Sequence, residues 1–184
     1  METRIALVLK ELEQKGHLST KQRLFLAPSF TSAPQIYGLP KVHKEGTPLR
    51  PIVSAIGSYT DQLAWELVRI LKALSGTTDS YVKDSSVFVE RISQTTILES
   101  DVLVSLDVVS LFTRVPVDKA LGVISELLLQ DETLPERTTI PAPDLCHVIE
   151  LCLKSTYFRL GDTFYEQEEQ QWVLPCPLLL PTST

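Results

Sequence analysis

The sequence predicts an α+β fold made mostly of helices, with short β-hairpins. Three observations lead to this prediction: apolar residues recur at helical spacing in several segments, extended segments flank a turn at Gly46, and a second pair flanks Gly161. The 184 residues, of which 43% are hydrophobic and 22% charged, suffice for one ordinary domain with a sizeable core. The elements run helices, hairpin, helices, strand, helices, hairpin, an order that favours the α+β class.

The N-terminal segment is predicted to form two helices. Residues 2–15 carry apolar side chains at helical spacing, and Gly16 follows as a C-cap. Ser19 is expected to N-cap a short second helix, because its hydroxyl can accept a hydrogen bond from a free N–H of the first turn. The inward positions of the first helix are Ile5, Leu9 and Leu12.

Further helices are predicted at 61–75, 84–94 and 120–129, and another opens at Pro143. Asp61 stands at the start of the first of these, where a carboxylate stabilises the positive end of the helix dipole. The inward positions are Leu63, Leu67, Ile70, Leu71 and Leu74 in the first helix, Val87, Phe88 and Ile92 in the second, and Leu145, Val148, Ile149 and Leu153 in the last.

Two hairpins and one buried strand are predicted. Residues 37–53 form the first hairpin, with its turn at Glu45-Gly46, and residues 157–166 form the second, with its turn at Gly161-Asp162. The unbroken apolar run 102–106 is predicted to be a buried strand, which ends at Asp107.

The charge is uneven along the chain. The net charge is −6, but residues 1–75 carry +4 and residues 76–184 carry −10. Because neutralisation of phosphates supplies most of the affinity for nucleic acids, an acidic chain is a poor candidate for tight binding to them. We therefore expect any such binding surface to lie in the first half.

Several classes of protein are disfavoured. No apolar run approaches the roughly 20 residues of a membrane span, and the N-terminus lacks the apolar core of a signal peptide, so we expect a soluble intracellular protein of the nucleus or cytoplasm. The cysteines are not in a zinc spacing and are expected to be reduced and structural: Cys146, Cys152 and Cys176. No P-loop, dinucleotide fingerprint or nucleophile elbow is present.

Asp107 is the first candidate functional residue. A carboxylate at the end of a buried apolar strand is costly unless it is paired or bound to a metal ion. Taken alone, such an aspartate is more often a cap or a turn residue.

The second candidate is a basic hairpin. Lys41, Lys44 and Arg50 lie in one unit stiffened by prolines. Cations placed this way can close over a triphosphate, because lysine offsets phosphate charge and arginine binds phosphate oxygens in a bidentate manner. The plainer interpretation is a solvated basic turn.

Three strings of residues carry a resemblance to a known family. Residues 104–116, Val-Ser-Leu-Asp-Val-Val-Ser-Leu-Phe-Thr-Arg-Val-Pro, resemble the first carboxylate motif of reverse transcriptases. Leu39-Pro40-Lys41 and Arg50-Pro51-Ile52 resemble the motifs of the fingers subdomain. The longer strings 37–44 and 49–54 are similar to those of Penelope-like retroelements, a class of transposable element. The resemblance covers roughly residues 5–167.

The resemblance implies a right-hand polymerase fold with fingers and part of the palm, and it implies roles for single residues. Asp107 would bind the catalytic Mg²⁺ ions, and Phe112 would close the nucleotide pocket, a role compatible with ordinary core packing. Lys41 and Arg50 would contact the incoming dNTP, and Lys44 the nucleic acid. The implied partners are an RNA or DNA template–primer and dNTPs, and the implied activity is RNA-directed DNA polymerase, a nucleotidyltransferase.

The domain organisation follows. Residues 1–36 are an N-terminal helical segment, 37–167 a partial reverse-transcriptase domain, and 168–184 an aberrant tail that we expect to be poorly ordered. The tail and the family's Gly-x-x-Met-Gly-Ser-Pro motif can be encoded by one nucleotide sequence in neighbouring frames, which indicates a frameshift near Glu168.

The sequence therefore predicts a truncated, inactive reverse transcriptase that lacks the second carboxylate motif. The intact family would use Mg²⁺, but we expect none to bind tightly to a single motif aspartate. The alternative is a non-catalytic nucleic-acid-binding module in which the fingers half still engages RNA or a template–primer duplex. A helical interaction protein unrelated to polymerases would leave the ordered motifs unexplained.

Overall fold

The computed structural model describes residues 2–27, 31–76, 78–102, 104–106, 115–155 and 157–166. Helices and one four-stranded sheet make up this part of the chain, so the predicted α+β class is confirmed. The helices are α1 (Glu2–Gln14), α2 (Thr20–Leu26), α3 (Asp61–Leu71) with a 3₁₀ turn (Lys72–Leu74), α4 (Ser85–Ser93), α5 (Val117–Gln130), α6 (Leu134–Arg137) and α7 (Ala142–Leu153). The strands are β1 (Gln35–Pro40), β2 (Leu49–Ser54), β3 (Tyr157–Leu160) and β4 (Thr163–Glu166).

The connection from α1 to α2 follows the sequence prediction. Gly16 has a φ of 79°, a left-handed conformation that glycine adopts without strain. The Ser19 hydroxyl then accepts a hydrogen bond from the Gln22 N–H at 3.2 Å, and the Gln22 side chain accepts one from the Ser19 N–H at 2.9 Å. This reciprocal pair is a capping box, and it fixes where α2 begins.

One hydrophobic cluster joins most of the helices. Residues from α1, α2, α3, α5, α6 and α7 contribute buried side chains to it, so the helices of segment 1–36 share a core with later ones. Leu9, Leu145 and Ile149 are fully buried. Burial of each such side chain contributes about 1.5–3 kcal/mol, which makes this cluster the main source of stability in the described residues.

Helix α3 has a defined start at Asp61, and a 3₁₀ turn and Gly76 follow it. The Asp61 carboxylate accepts a hydrogen bond from the Gly57 N–H at 2.8 Å, and the chain leaves the following 3₁₀ turn near Gly76, whose φ is 81°. Of the predicted inward positions, Leu63, Leu67 and Ile70 are buried, while Leu71 and Leu74 are half-buried. The predicted helix is therefore confirmed, although its last turn is 3₁₀ rather than α.

Arg137 ties the unpredicted short helix α6 to α3. Its Nε donates to the Ile70 carbonyl at 3.1 Å, and its guanidinium forms an ion pair with Asp131. In return, the Arg69 guanidinium donates to the Arg137 carbonyl at 2.7 Å. These bonds satisfy carbonyls at the ends of two helices, which explains why a four-residue helix is stable here.

The two predicted hairpins join into one sheet of strand order β2-β1-β3-β4. Within each hairpin the strands are antiparallel, and the turns use Gly46, with a φ of 71°, and Gly161, with a φ of 59°. Strands β1 and β3 pair in parallel at Gln35 and Arg159, and the Arg159 N–H donates to the Pro34 carbonyl at 2.7 Å. The sequence predicted both hairpins but not this long-range pairing.

The predicted strand at 102–106 is wrong for the residues that the structure describes there. Residues 102 and 104–106 belong to no strand, and the exposed fractions of Val102, Val104 and Leu106 are 81%, 68% and 90%. An apolar strand needs neighbours on its edges and a layer on each face, and the described residues of this segment pair with none of the four strands of the sheet.

Helix α4 has the predicted bounds but not the predicted burial. Its N-cap is Asp84, whose carboxylate accepts from the Val87 N–H at 3.0 Å. Phe88 was predicted to face inward, yet it is 50% exposed, and no residue of α4 is buried. The helix therefore forms locally without a packed partner layer among the described residues. No described helix is both long and apolar enough to cross a membrane.

Candidate functional site

The predicted cations Lys41 and Arg50 lie on one face of the β1–β2 hairpin. Arg50 is the register partner of Leu39, and the Lys41 N–H donates to the Pro48 carbonyl at 2.9 Å, which extends the ladder by one residue beyond β1. Because side chains alternate between faces, Lys41 lies on the same side as Leu39 and its partner Arg50. The two cations are thus diagonal neighbours, with Cα atoms on the order of 7 Å apart.

The turn that carries Lys44 has a fixed backbone. The Lys44 N–H donates to the Lys41 carbonyl, and the Thr47 N–H donates to the Lys44 carbonyl, both at 3.0 Å. Gly46 and Thr47 both have positive φ, 71° and 43°. Prolines restrict φ before and after the turn, at Pro40, Pro48 and Pro51. The tip therefore presents its cations on a stiff support rather than on a long mobile loop.

No described carboxylate forms an ion pair with Lys41, Lys44 or Arg50. Lys44 and Arg50 are exposed and Lys41 is half-buried. Some cations of the helical part do form ion pairs, since Arg23 pairs with Glu13 at 2.6 Å and Arg137 pairs with Asp131. The hairpin thus presents three cations that form no ion pair with a described carboxylate, an arrangement that suits an anionic ligand.

The opposite face of the hairpin is apolar. Leu49 pairs with Pro40, and its side chain reaches over Gly38 so closely that a Cβ at Gly38 would stand 2.9 Å from the Leu49 Cδ1 atom. Val53, on the same face, is buried. The hairpin is therefore two-sided: one face carries the cations, and the other carries apolar side chains, of which Val53 is buried and Leu49 is 63% exposed.

Two predicted site residues, Asp107 and Phe112, lie outside the described residues, as does the whole of segment 168–184. Within the described ranges, no group of three or more His, Cys, Asp or Glu side chains is arranged to hold a metal ion. The structure thus brings the predicted phosphate-contacting cations together, while the metal-binding role of Asp107 stays a prediction.

Sequence reasoning missed Arg159. Its pairing with Gln35 places it on the face of the sheet that carries Lys41, although more than a hundred residues separate the two in sequence. The alternation within the second hairpin predicts that Arg159 shares a face with its partner Phe164, but no local signal indicates which strand lies beside β3. No protein-family model, no curated protein and no solved structure matches this chain.

Proposed function

We propose that this chain is the fingers and part of the palm of a retroelement reverse transcriptase, and that it binds the triphosphate of a dNTP through the β1–β2 hairpin. The observation that carries the proposal is the position of Lys41 and Arg50, which share one face of a stiff hairpin and have no described carboxylate partner. The sequence motifs around these residues support the same assignment.

Lys41 and Arg50 would bind phosphate in different ways. The Arg50 guanidinium can donate two parallel hydrogen bonds to phosphate oxygens, and the Lys41 ammonium adds a point charge beside it. Lys44, at the exposed tip, would meet the nucleic acid. In the intact family, the residue that matches Asp107 would help to hold Mg²⁺, and the one that matches Phe112 would close the pocket against the ribose.

The proposal separates binding from catalysis. Nucleotidyl transfer uses two metal ions that bridge the attacking hydroxyl, the phosphate and the leaving group. Each Mg²⁺ needs near-octahedral oxygen ligands, which a single aspartate cannot supply to two ions. The 184 residues contain no adjacent pair of aspartates. We therefore expect this polypeptide to bind dNTP without extending a primer.

Binding can be measured by titration with a dNTP labelled on its base. Because a hydrogen bond to a charged group contributes about 1.5–3 kcal/mol, Lys41→Ala and Arg50→Ala should each raise Kd by about tenfold or more. Arg4→Ala, which removes an exposed cation from α1, is the matched control and should leave Kd unchanged. Equal Kd values for the hairpin variants and the wild type would remove the assigned role.

Catalysis is tested by primer extension with Mg²⁺ or Mn²⁺. The expected result is no incorporation above that of Asp107→Asn, whose charge change weakens any metal site at that position. Incorporation by the wild type that this substitution abolishes would refute the proposed inactivity and would support the metal-binding role of Asp107.

The alternative, a non-catalytic module that binds nucleic acid, is favoured by one further observation. The cations of the hairpin are exposed at its tip as well as along its face, because Lys44 lies in the turn. Competition separates the two functions: a dNTP site is displaced by unlabelled dNTP, whereas a pure nucleic-acid site is displaced only by oligonucleotide.

A further inference from the structure

Helix α4 and the chain on either side of it expose apolar side chains. On the helix, Phe88 is 50% exposed and Val89 60%, and with the half-buried Ile92 they form one stripe at helical spacing. The segments directly before and after the helix add further exposed side chains. We define the α4 surface by its six large exposed apolar residues, which are Tyr81, Val82, Phe88, Val89, Ile97 and Leu98.

Helix α4 is too short to be stable without packing. It has nine residues, whereas isolated helices shorter than about 12–15 residues are marginal in water, and helices in proteins gain most of their stability from a packed apolar face. None of its residues is buried. The stripe at Phe88 therefore lacks, among the described residues, the covering layer that such a helix requires.

The area of the α4 surface suits a dimer interface. With full side-chain surfaces on the order of 150–200 Å², the exposed fractions of its six residues amount to roughly 600 Å² of mostly apolar surface. A homodimer of standard size takes about 800 Å² from each partner, of which about two thirds is apolar. The exposed area therefore matches what one partner of a stable dimer contributes.

Opposite charges stand near the two ends of α4. Asp84 and Arg91 are seven residues apart, which is two helical turns, so both lie on the same side of the stripe. The Asp84 carboxylate accepts from the Val87 N–H, and the Arg91 Nη1 donates to the Asp79 carbonyl at 3.2 Å. Neither Asp84 nor Arg91 forms an ion pair with a described group. Both charges can therefore pair with a partner.

This distribution of charge is self-complementary. When two copies of α4 lie antiparallel about a two-fold axis near Phe88, Asp84 of each copy stands opposite Arg91 of the other. The contact forms twice, once at each end of the helix pair. The two Phe88 rings meet close to the axis, at the centre of the interface.

We propose that the α4 surface joins two copies of this chain into a symmetric dimer with antiparallel α4 helices. The inference goes beyond the proposed function, because none of the six residues belongs to the β1–β2 hairpin. The symmetric match of Asp84 with Arg91 favours a second copy over an unrelated protein, which needs no such pairing with itself.

The mass of the purified full chain in solution tests the dimer. Sedimentation velocity over a series of micromolar concentrations should show a shift from the 20.6 kDa of one chain to twice that mass. A single-chain mass at every concentration would overturn the proposal and would leave the surface to another protein. A mass that keeps growing beyond two chains would also overturn it, because it would show unspecific association.

Two phenylalanines provide a matched pair of variants. Phe88→Ala should raise the Kd of the dimer about tenfold or more, because truncation of an aromatic side chain at the centre of an interface has the largest effects. Phe25→Ala removes a ring that is 60% exposed on α2 and should leave the Kd unchanged. Equal Kd values for Phe88→Ala and the wild type would show that α4 is not the interface.

Charge variants test the antiparallel arrangement. Arg91→Glu sets like charges opposite each other at both ends and should weaken the dimer at low salt, whereas Arg91→Lys and the control Arg4→Glu should retain it. Asp84→Lys should weaken it for the same reason. A mixture of Asp84→Lys with Arg91→Glu has opposite charges at both ends of the mixed pair, so it should form more dimer than either variant alone.

The mixture gives a result that a merely structural role of these residues would not produce. Mixing restores no helix cap within a chain, so recovery of the dimer reports the contact between chains. Asp84→Asn keeps an N-cap side chain without the charge, and its mixture with Arg91→Glu should form fewer mixed pairs than that of Asp84→Lys. If neither mixture forms mixed pairs, the antiparallel arrangement is wrong.

The dimer and the dNTP site fail separately. If every variant and the wild type are monomeric while Lys41→Ala still loses dNTP affinity, the dimer is wrong and the dNTP site stands. If Phe88→Ala dissociates the dimer while Lys41→Ala and Arg50→Ala keep dNTP affinity, the dNTP site is wrong and the dimer stands.

Discussion

The helical cluster and the four-stranded sheet bury their apolar side chains to very different extents. In the cluster, Leu9, Leu145 and Ile149 have no exposed surface. In the sheet, by contrast, Leu49 is 63% exposed and Phe164 66%. The cluster therefore supplies hydrophobic stabilisation, while the sheet is held mainly by its backbone ladder and turns.

The helices and the first hairpin also differ in how many of their cations form ion pairs. Several cations of the helical part form ion pairs, as Arg137 does with Asp131, although others such as Arg4 form none with a described carboxylate. Those of the first hairpin have no described acidic partner. A chain of net charge −6 can thus still carry a hairpin whose three cations form no ion pair with a described carboxylate.

Among the substitutions that test this comparison, Leu145→Ala should lower the free energy of unfolding the most. The substitution leaves a cavity in the helical cluster, and buried leucine-to-alanine changes cost about 2–5 kcal/mol of the free energy of unfolding. Urea unfolding followed by circular dichroism measures the loss. Leu49→Ala removes a largely exposed leucine from the sheet and is the matched control, with an expected cost of less than about 1 kcal/mol. Similar costs would contradict the division into a stabilising cluster and a displayed sheet.

A smaller effect is expected from Gly38→Ala. The new Cβ would meet the Leu49 side chain at 2.9 Å, and overpacking of this kind costs about 1–3 kcal/mol, with the low end expected because Leu49 is exposed and can move. Amide hydrogen exchange of the first hairpin measures the cost. Adding Leu49→Ala removes the nearest atom and leaves only the Cβ of residue 49, at 3.2 Å, so the double variant should recover part of the lost protection. No recovery at all would show that contact with the Leu49 side chain is not the cause of the loss.

The smallest effect on stability is expected from protonation of Asp131 at low pH. Hydrogen bonds from Thr133, and then the Arg137 guanidinium, lower the pKa of Asp131 from its ordinary value of 3.8. A carboxyl whose folded-state pKa is lowered contributes stability that is complete well above pH 3.8 and is lost as the pH falls below that value. Urea midpoints at pH 6 and pH 2.5 measure this loss.

Two substitutions check the assignment of that pH dependence. Asp131→Asn should make the midpoint less sensitive to acid, and Thr133→Ala, which removes the largest cause of the shift, should act in the same direction. A midpoint that falls as steeply in Asp131→Asn as in the wild type would place the pH dependence elsewhere.

Local signals predicted most elements correctly. The capping box at Ser19, the start of α3 at Asp61 and the two glycine turns each depend on a few neighbouring residues, so the sequence suffices to locate them. The burial of Leu145 follows from helical periodicity in the same way. The prediction of Phe88 facing inward was wrong, because periodicity indicates a preferred face but does not supply a layer to cover it.

Local sequence also places some residues of the candidate site but not others. Lys41 and Arg50 share a face because both belong to one hairpin, and alternation from a known turn is sufficient to place them together. Arg159 joins them only through the parallel pairing of Gln35 and Arg159, which no local pattern encodes.

Local sequence was enough to locate most of the helices, the capping box at Ser19 and both hairpins, because each depends on the geometry of a few adjacent residues. Three features depend instead on the folded chain: the two hairpins make one sheet, Arg159 lies beside the first hairpin, and residues 102 and 104–106 form no strand. Strand pairing and burial depend on partners distant in sequence, and such a partner must be present in space before an apolar segment can be covered.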